Sequence, residues 1–202
     1  LMFVTGTLSA ELVRTSRQFL SQGGTVLFVL KDGSAVQTLA DLAAVNGLVA
    51  NEAPASRYAM LGEINFQHPL FAPFADPRFS DFTKIHFWKH RLLEASQLPG
   101  ARILARFDDD KAPAFLEIPQ DKGTLLVLTS GWQPADSQLA LSSKFVPLLY
   151  AMLEQSGGLR VQRSQYLVGE EVLLTTTNTA RLTIRKPDGS QVEVAPGERF
   201  LQ

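Results

Sequence analysis

Apolar positions in the first fifty residues follow two alternating rhythms. Residues 1–4 form a short apolar run that reads as a strand. Ser9 then stands as an N-cap with Glu11 in the first turn. Leu12, Val13, Phe19 and Leu20 give the following segment an apolar helical face, which Gly23 and Gly24 terminate. Residues 25–30 are almost wholly apolar, as in a strand buried on both faces. Ser34 and Gln37 have capping-box spacing ahead of Val36, Leu39, Ala40 and Ala43 at helical period, and Asn46 and Gly47 close that helix. Strand, helix, strand, helix in this order predicts a right-handed parallel α/β core.

The middle of the chain changes character. Residues 57–66 and 84–93 alternate well enough to predict strands, with a turn or short helix over 68–74. Residues 101–107, 113–118 and 124–129 read as three strands joined by turn-like segments at 108–112 and 119–123. Links this short require antiparallel pairing, so a β-meander extends the parallel sheet. A helix follows over 143–155, with Phe145, Leu148, Leu149 and Met152 on one face. Gly157 and Gly158 mark a boundary, beyond which the pattern is all-β: residues 161–167, 172–177, and a hairpin over 181–194. In that hairpin Leu182 and Ile184 face Val192 and Val194. The expected organisation is an α/β domain over 1–156 and an all-β segment over 159–202, read as part of a truncated sandwich module. The apolar start at Leu1 reads as an α/β domain that is N-terminally incomplete, cut from a longer protein.

Composition narrows the function classes. A domain within 202 residues buries roughly 70% of its unfolded surface and needs no staple. A net charge of −1 gives no global attraction to nucleic acid or anionic membrane. The absence of cysteine excludes a disulfide framework, a thiolate metal site and a cysteine nucleophile. No apolar run reaches the ~18 residues of a membrane span, so any membrane contact comes through segments outside this chain.

The chemistry-bearing loop follows residues 124–129, at the carboxyl end of a sheet strand, where open α/β folds place their sites. Its candidate ligand- or partner-binding residues are Ser130, Trp132, Asp136 and Ser137. In one reading Trp132 is a rigid recognition anchor and Asp136 a charge-assisted acceptor. In the other, Trp132 covers the sheet end and Asp136 caps the next turn. No catalytic residue is assigned: Ser130 lacks the flanking glycines of a nucleophile elbow, and no base is paired with it. His86, Trp88 and His90 would share one strand face, with the two histidines roughly 13 Å apart, too far to share a metal. Asp108, Asp109 and Asp110 lack the glycine and distal glutamate of a calcium loop and read as a solvated turn. His68 reads as a turn residue, and Lys84, Lys89, His90 and Arg91 as a solvated basic face. No metal or cofactor is expected.

Two segments carry a family resemblance. Residues 19–28, Phe-Leu-Ser-Gln-Gly-Gly-Thr-Val-Leu-Phe, resemble the helix, Gly-Gly and strand step of the class I glutamine amidotransferase-like superfold. Residues 107–130 resemble its late hairpin, where a Pro-Ala strand, a Lys-Gly turn and an apolar strand lead into the site. More narrowly, residues 129–149 are similar to bacterial BatA-type membrane proteins. These carry an N-terminal pair of transmembrane helices, often a von Willebrand A-like domain, and then an amidotransferase-like domain.

The resemblance, spanning residues 1–155, implies a three-layer class I glutamine amidotransferase-like (flavodoxin-like) α/β sheet with an antiparallel extension. It also implies a membrane-anchored parent, an extracytoplasmic (periplasmic) position, and a protein partner in a membrane-associated assembly. The departures from the family are chemical. Its enzymes use a Cys on a strand-to-helix elbow and a His followed by a Glu after a late strand. Here there is no Cys, and Gly131, Trp132, Gln133 and Pro134 stand where the His and Glu are expected. Glutamine hydrolysis by that route is unavailable, although a fold persists without its chemistry. The expectation is a non-catalytic interaction or ligand-recognition domain. The alternatives are a hydrolase with a rearranged pocket using Ser130 or a His, and a carbohydrate- or envelope-binding module in which Trp132 stacks on a sugar.

Overall fold

The computed structural model describes residues 1–54, 58–157, 171–173, 182–185, 189–194 and 199–201. The chain divides into two compact units, Leu1–Arg160 and Val161–Gln202. In chain order the first unit holds β1 (Met2–Val4), α1 (Ala10–Ser21), β2 (Thr25–Val29), α2 (Val36–Ala43), β3 (Ala50–Glu52) and β4 (Leu61–Ile64). It continues with β5 (Arg91–Leu93), β6 (Arg102–Phe107), β7 (Pro113–Gln120), β8 (Gly123–Leu128) and α3 (Phe145–Gln155). Six strands form one mixed sheet in the order β1-β2-β8-β7-β6-β4. β1, β2 and β8 run parallel, and the β8-β7-β6-β4 half is antiparallel. β3 and β5 form a separate antiparallel ribbon. The class is mixed α/β, and the predicted meander is present.

Both faces of the sheet are covered, which is why its central strands are mostly apolar. Val26, Phe28, Leu125 and Val127 pack with Val13 and Leu20 of α1 and Leu39 and Leu42 of α2. Leu27, Val29, Leu126 and Leu128 face the other way, toward Leu148, Ala151 and Met152 of α3. Phenylalanines complete that second core edge to face, with centroids of Phe71 and Phe115 5.5 Å apart and of Phe87 and Phe107 5.3 Å apart. Each fully buried Leu or Phe contributes about 1.5–3 kcal/mol by leaving water, so these two cores dominate the stability.

Local signals set most of the boundaries. Ser9 caps α1, its Oγ accepting the Leu12 amide at 3.3 Å. Gly23 ends that helix at φ 95°, a left-handed conformation suited to glycine. Gly123 opens β8 against the end of α1, where a Cβ would lie 2.3 Å from the Leu20 carbonyl oxygen. At α2 the outcome differs from the capping-box expectation. Asp32, not Ser34, starts the turn: its Oδ1 accepts the Ser34 amide at 3.0 Å, and a short 3-10 turn over Gly33–Ala35 precedes the helix. The helix also ends early, with Ala44 left-handed at φ 56° before Asn46 and Gly47 are reached.

Residues 84–93 do not form the single strand their alternation predicts. Ile85 and Phe87 are buried as expected, but Phe87 makes only isolated bridges to Ala59 and Ser137. The Trp88 and Lys89 amides both donate to the Asp136 carbonyl, at 2.8 and 3.2 Å, so loop carbonyls replace a strand neighbour until Arg91. The strand predicted over 57–66 narrows to β4, and residue 57 lies outside the described residues.

In the second unit, β9 (Glu171–Leu173) pairs antiparallel with β12 (Arg199–Leu201), and β10 (Leu182–Arg185) with β11 (Gln191–Val194). Leu182 stands opposite Val194 and Ile184 opposite Val192, the register predicted for that hairpin. The expected strand over 161–167 and the end of that over 172–177 lie outside the described residues. Among the described residues no helix is long and apolar enough to cross a membrane.

Candidate functional site

Neighbouring parallel strands β2 and β8 send the chain to opposite faces of the sheet. After β2 it enters α2, on the face that α1 covers; after β8 it leads to α3 on the other. The carboxyl ends of parallel strands whose connections diverge in this way are the general ligand position in open α/β sheets. Residues 30–32 and 129–137 lie there. A residue from elsewhere bridges these two segments: the Arg91 amide donates to the Thr129 carbonyl at 2.8 Å, and its Nη2 donates to the Lys31 carbonyl.

The loop after β8 is closed on itself. Ser130 Oγ donates to the Lys89 carbonyl at 2.6 Å, and Ser137 Oγ to the Gly131 carbonyl at 2.8 Å. Both serines are fully buried and Asp136 is nearly so. Gln133 Nε2 donates to Asp136 Oδ2 at 2.6 Å, while Lys89 Nζ stands 3.9 Å from Oδ1. The loop folds so tightly that a Cβ on Gly131 would lie 2.1 Å from Asp136 Oδ2. Trp132 is half-buried, edge-on to Phe3 at 5.8 Å and to Phe145 at 5.6 Å. Its position is that of a cover joining the β1 edge to α3. Asp136 does not cap the next turn: its Oδ2 takes Gln133 Nε2, and the 3-10 turn over Leu139–Leu141 follows Gln138 without a side-chain cap.

The three histidines are each engaged away from Ser130. His86 stacks on Tyr58 with centroids 4.0 Å apart. His68 is buried, and its Nδ1 accepts the Leu70 amide at 3.2 Å, so Nε2 carries the proton directed at Glu117 Oε2, 3.1 Å away. Glu117 also takes Arg102 Nη2 at 2.5 Å and Gln155 Nε2 at 3.0 Å. His68 is therefore more than a turn residue: with Glu117 it ties the 68–74 turn to β7, β6 and α3.

His90 lies inside, its ring 4.1 Å from that of Phe107 and its Nε2 2.7 Å from Asp110 Oδ2. Asp110 is thus not simply part of a solvated turn. Burial works against its charge, yet the hydrogen bonds from His90 and the Ala112 amide hold its carboxyl below the usual carboxylate range. Donor atoms of His90, Asp109 and Asp110 lie within 4.8 Å of one another, although an ion there would have to displace the His90–Asp110 hydrogen bond. The clue in the sequence was physical: an inward-facing histidine needs a polar partner, and an aspartate-rich turn offers one.

Arg91 corrects the solvated basic face more sharply, because only 2% of it is exposed. Its Nε and Nη1 are buried and have no hydrogen-bond partner among the described residues. Glu52 Oε2 is 3.7 Å from Nη2, beyond hydrogen-bond reach. No feature of the sequence pattern marks Arg91 as buried.

No family model matches the chain, and no curated protein matches it. Solved structures do share its fold. It is similar to Cytoplasmic Protein STM3548 from Salmonella typhimurium, with TM-score 0.56 and 12% identity over 76% of this chain and 70% of that one. Cytoplasmic Protein STM1381 from Salmonella typhimurium LT2 gives TM-score 0.54 and 12% identity over 74% of this chain and 62% of that one. The beta-galactosidase from Rahnella sp. R3 gives TM-score 0.52 and 15% identity over 98% of this chain but only 30% of its own length. At such identities the likeness is one of fold. Two structures with this fold are named cytoplasmic proteins, which overturns the extracytoplasmic position expected from the family resemblance. That expectation rested on an anchor outside the chain, and no residue within it encodes a compartment.

Proposed function

We propose that the first unit is a non-catalytic recognition domain of the class I glutamine amidotransferase-like (flavodoxin-like) type. One observation carries the reading: at the carboxyl end of β8 every hydroxyl is spent on a backbone carbonyl, and no base among the described residues reaches Ser130. Nucleophilic catalysis requires a base within about 3.2 Å of the attacking oxygen. Ser130 has carbonyl neighbours instead, which hold its proton without accepting it. The loop is built to keep one shape, which suits a surface presented to a ligand or a protein. Support for a protein partner comes from α3, whose Val146 and Tyr150 are 59% and 57% exposed in the helix whose Phe145 packs on Trp132. A sugar-stacking role for Trp132 has less support, since Phe3 and Phe145 already meet its ring.

The test is covalent. A fluorophosphonate probe adds to serines activated by a base, and intact-mass measurement reads the adduct. The purified chain is expected to remain unlabelled. An adduct that Ser130→Ala removes would assign hydrolase chemistry to this loop.

A further inference from the structure

The carboxyl ends of β2 and β8 hold a buried cation whose hydrogen-bonding capacity is largely unused. Arg91 is 2% exposed, and only Nη2 is engaged, on the Lys31 carbonyl. Nε and Nη1 have no partner among the described residues. Buried donors are nearly always satisfied, and a guanidinium still more so, because its charge is also removed from water. The nearby carboxylates do not fill the gap. Asp32 Oδ1 takes both the amide and the hydroxyl of Ser34. Glu52 stands 3.7 Å from Nη2 with its side chain 58% exposed.

The position adds a second, independent reason. Arg91 bridges the Thr129 and Lys31 carbonyls at the carboxyl ends of two parallel strands whose connections run to opposite faces, which is where such sheets take their ligands. Arginine at such a place recognises planar or tetrahedral oxyanions through directed N–H groups. We propose that Arg91 is the anchor of a small-oxyanion site, for a carboxylate or phosphate group, at the carboxyl ends of β2 and β8. Glu52 Oε2 stands 3.7 Å from Nη2. Its exposed side chain yields no hydrogen bond to Arg91 by swinging into solvent, and an incoming oxyanion takes its place beside the guanidinium. The assignment rests on the recognition-domain reading for its role and gives that reading a ligand class.

The test uses the full chain, with sodium phosphate and sodium acetate as probes and sodium chloride holding ionic strength constant. Melting temperature and isothermal titration are read together for the wild type, R91Q and E52Q. The site predicts a saturable rise in melting temperature with at least one probe, and the better probe says whether phosphate or carboxylate is preferred. R91Q abolishes the rise. E52Q tightens binding roughly two- to fivefold, the size of one exposed charge interaction. No saturable response to either probe overturns the proposal, as does a response that survives R91Q. Should R91Q fail to fold, E52Q decides: unchanged or weaker binding overturns it. Fluorophosphonate labelling, by contrast, would sink the recognition-domain reading and leave these titrations intact.

Discussion

Replacing Glu117 by leucine should be among the most damaging single changes in the first unit. The carboxylate sits in mid-sheet, 4% exposed, and gathers donors from three directions. Leucine has similar bulk, so little cavity forms, and the loss is electrostatic. The Arg102 arm contributes least, because that side chain is 64% exposed and rehydrates. His68 does not have that option: it is 8% exposed, and its Nε2 proton would be left without an acceptor. Gln155 would lose its Nε2 partner as well, although its Oε1 already lacks one among the described residues. Leaving the buried His68 and Gln155 donors without an acceptor costs about 1–3 kcal/mol each. Glu117→Gln keeps one acceptor oxygen and should cost less, about 1–3 kcal/mol. Urea unfolding followed by tryptophan fluorescence measures both, since Trp88 and Trp132, the two tryptophans, lie in the first unit. Equal stability of the wild type and Glu117→Leu, or a smaller loss for leucine than for glutamine, would refute the network as a structural tie.

Three further outcomes are expected. Gly123→Ala places a Cβ 2.3 Å from the Leu20 carbonyl oxygen and 2.4 Å from that of Gly24, both backbone, so urea titration should show a loss of about 3 kcal/mol or more. Trp132→Ala removes the edge contacts to Phe3 and Phe145 and should cost about 1–3 kcal/mol, read from the melting temperature; an unchanged melt would mean that Trp132 is not a packing cover. The depressed Asp110 carboxyl contributes stability that is present above its unfolded pKa, about 4, and is lost as pH falls through the lower folded value. Asp110→Asn should therefore melt lower than the wild type at about pH 6 and approach it at about pH 3, and a gap that stays constant with pH would contradict the assignment.

Much of the fold was legible because local signals and burial agree. The almost wholly apolar run at β2 reads as a strand covered on both faces, and the short turns at 108–112 and 119–123 left the meander no parallel alternative. Ser9 and the Gly23–Gly24 pair bounded α1 without tertiary help. The failures share a different cause. Residues 84–90 alternate like a strand, yet much of their backbone pairing is with a loop some fifty residues away, as in the Trp88 amide bond to the Asp136 carbonyl. Periodicity reports which side chains turn inward and says nothing about what meets the backbone. The candidate loop was located from the strand–loop–helix order, but its chemistry was not. Ser130 and Asp136 look available in sequence, and only the fold shows their polar atoms turned onto Lys89 and Gln133. Arg91 reads as a surface charge because burial of an arginine depends on contacts with the ends of β2 and β8, far away in sequence.

The central claim is that the loop after β8 recognises and does not catalyse. Steady-state turnover by the purified chain, with glutamine and with an activated acetate ester as substrates, tests it most directly. Product formation indistinguishable from the protein-free rate, in the wild type and in Ser130→Ala alike, is the predicted result. Multiple turnovers that disappear in Ser130→Ala would contradict it.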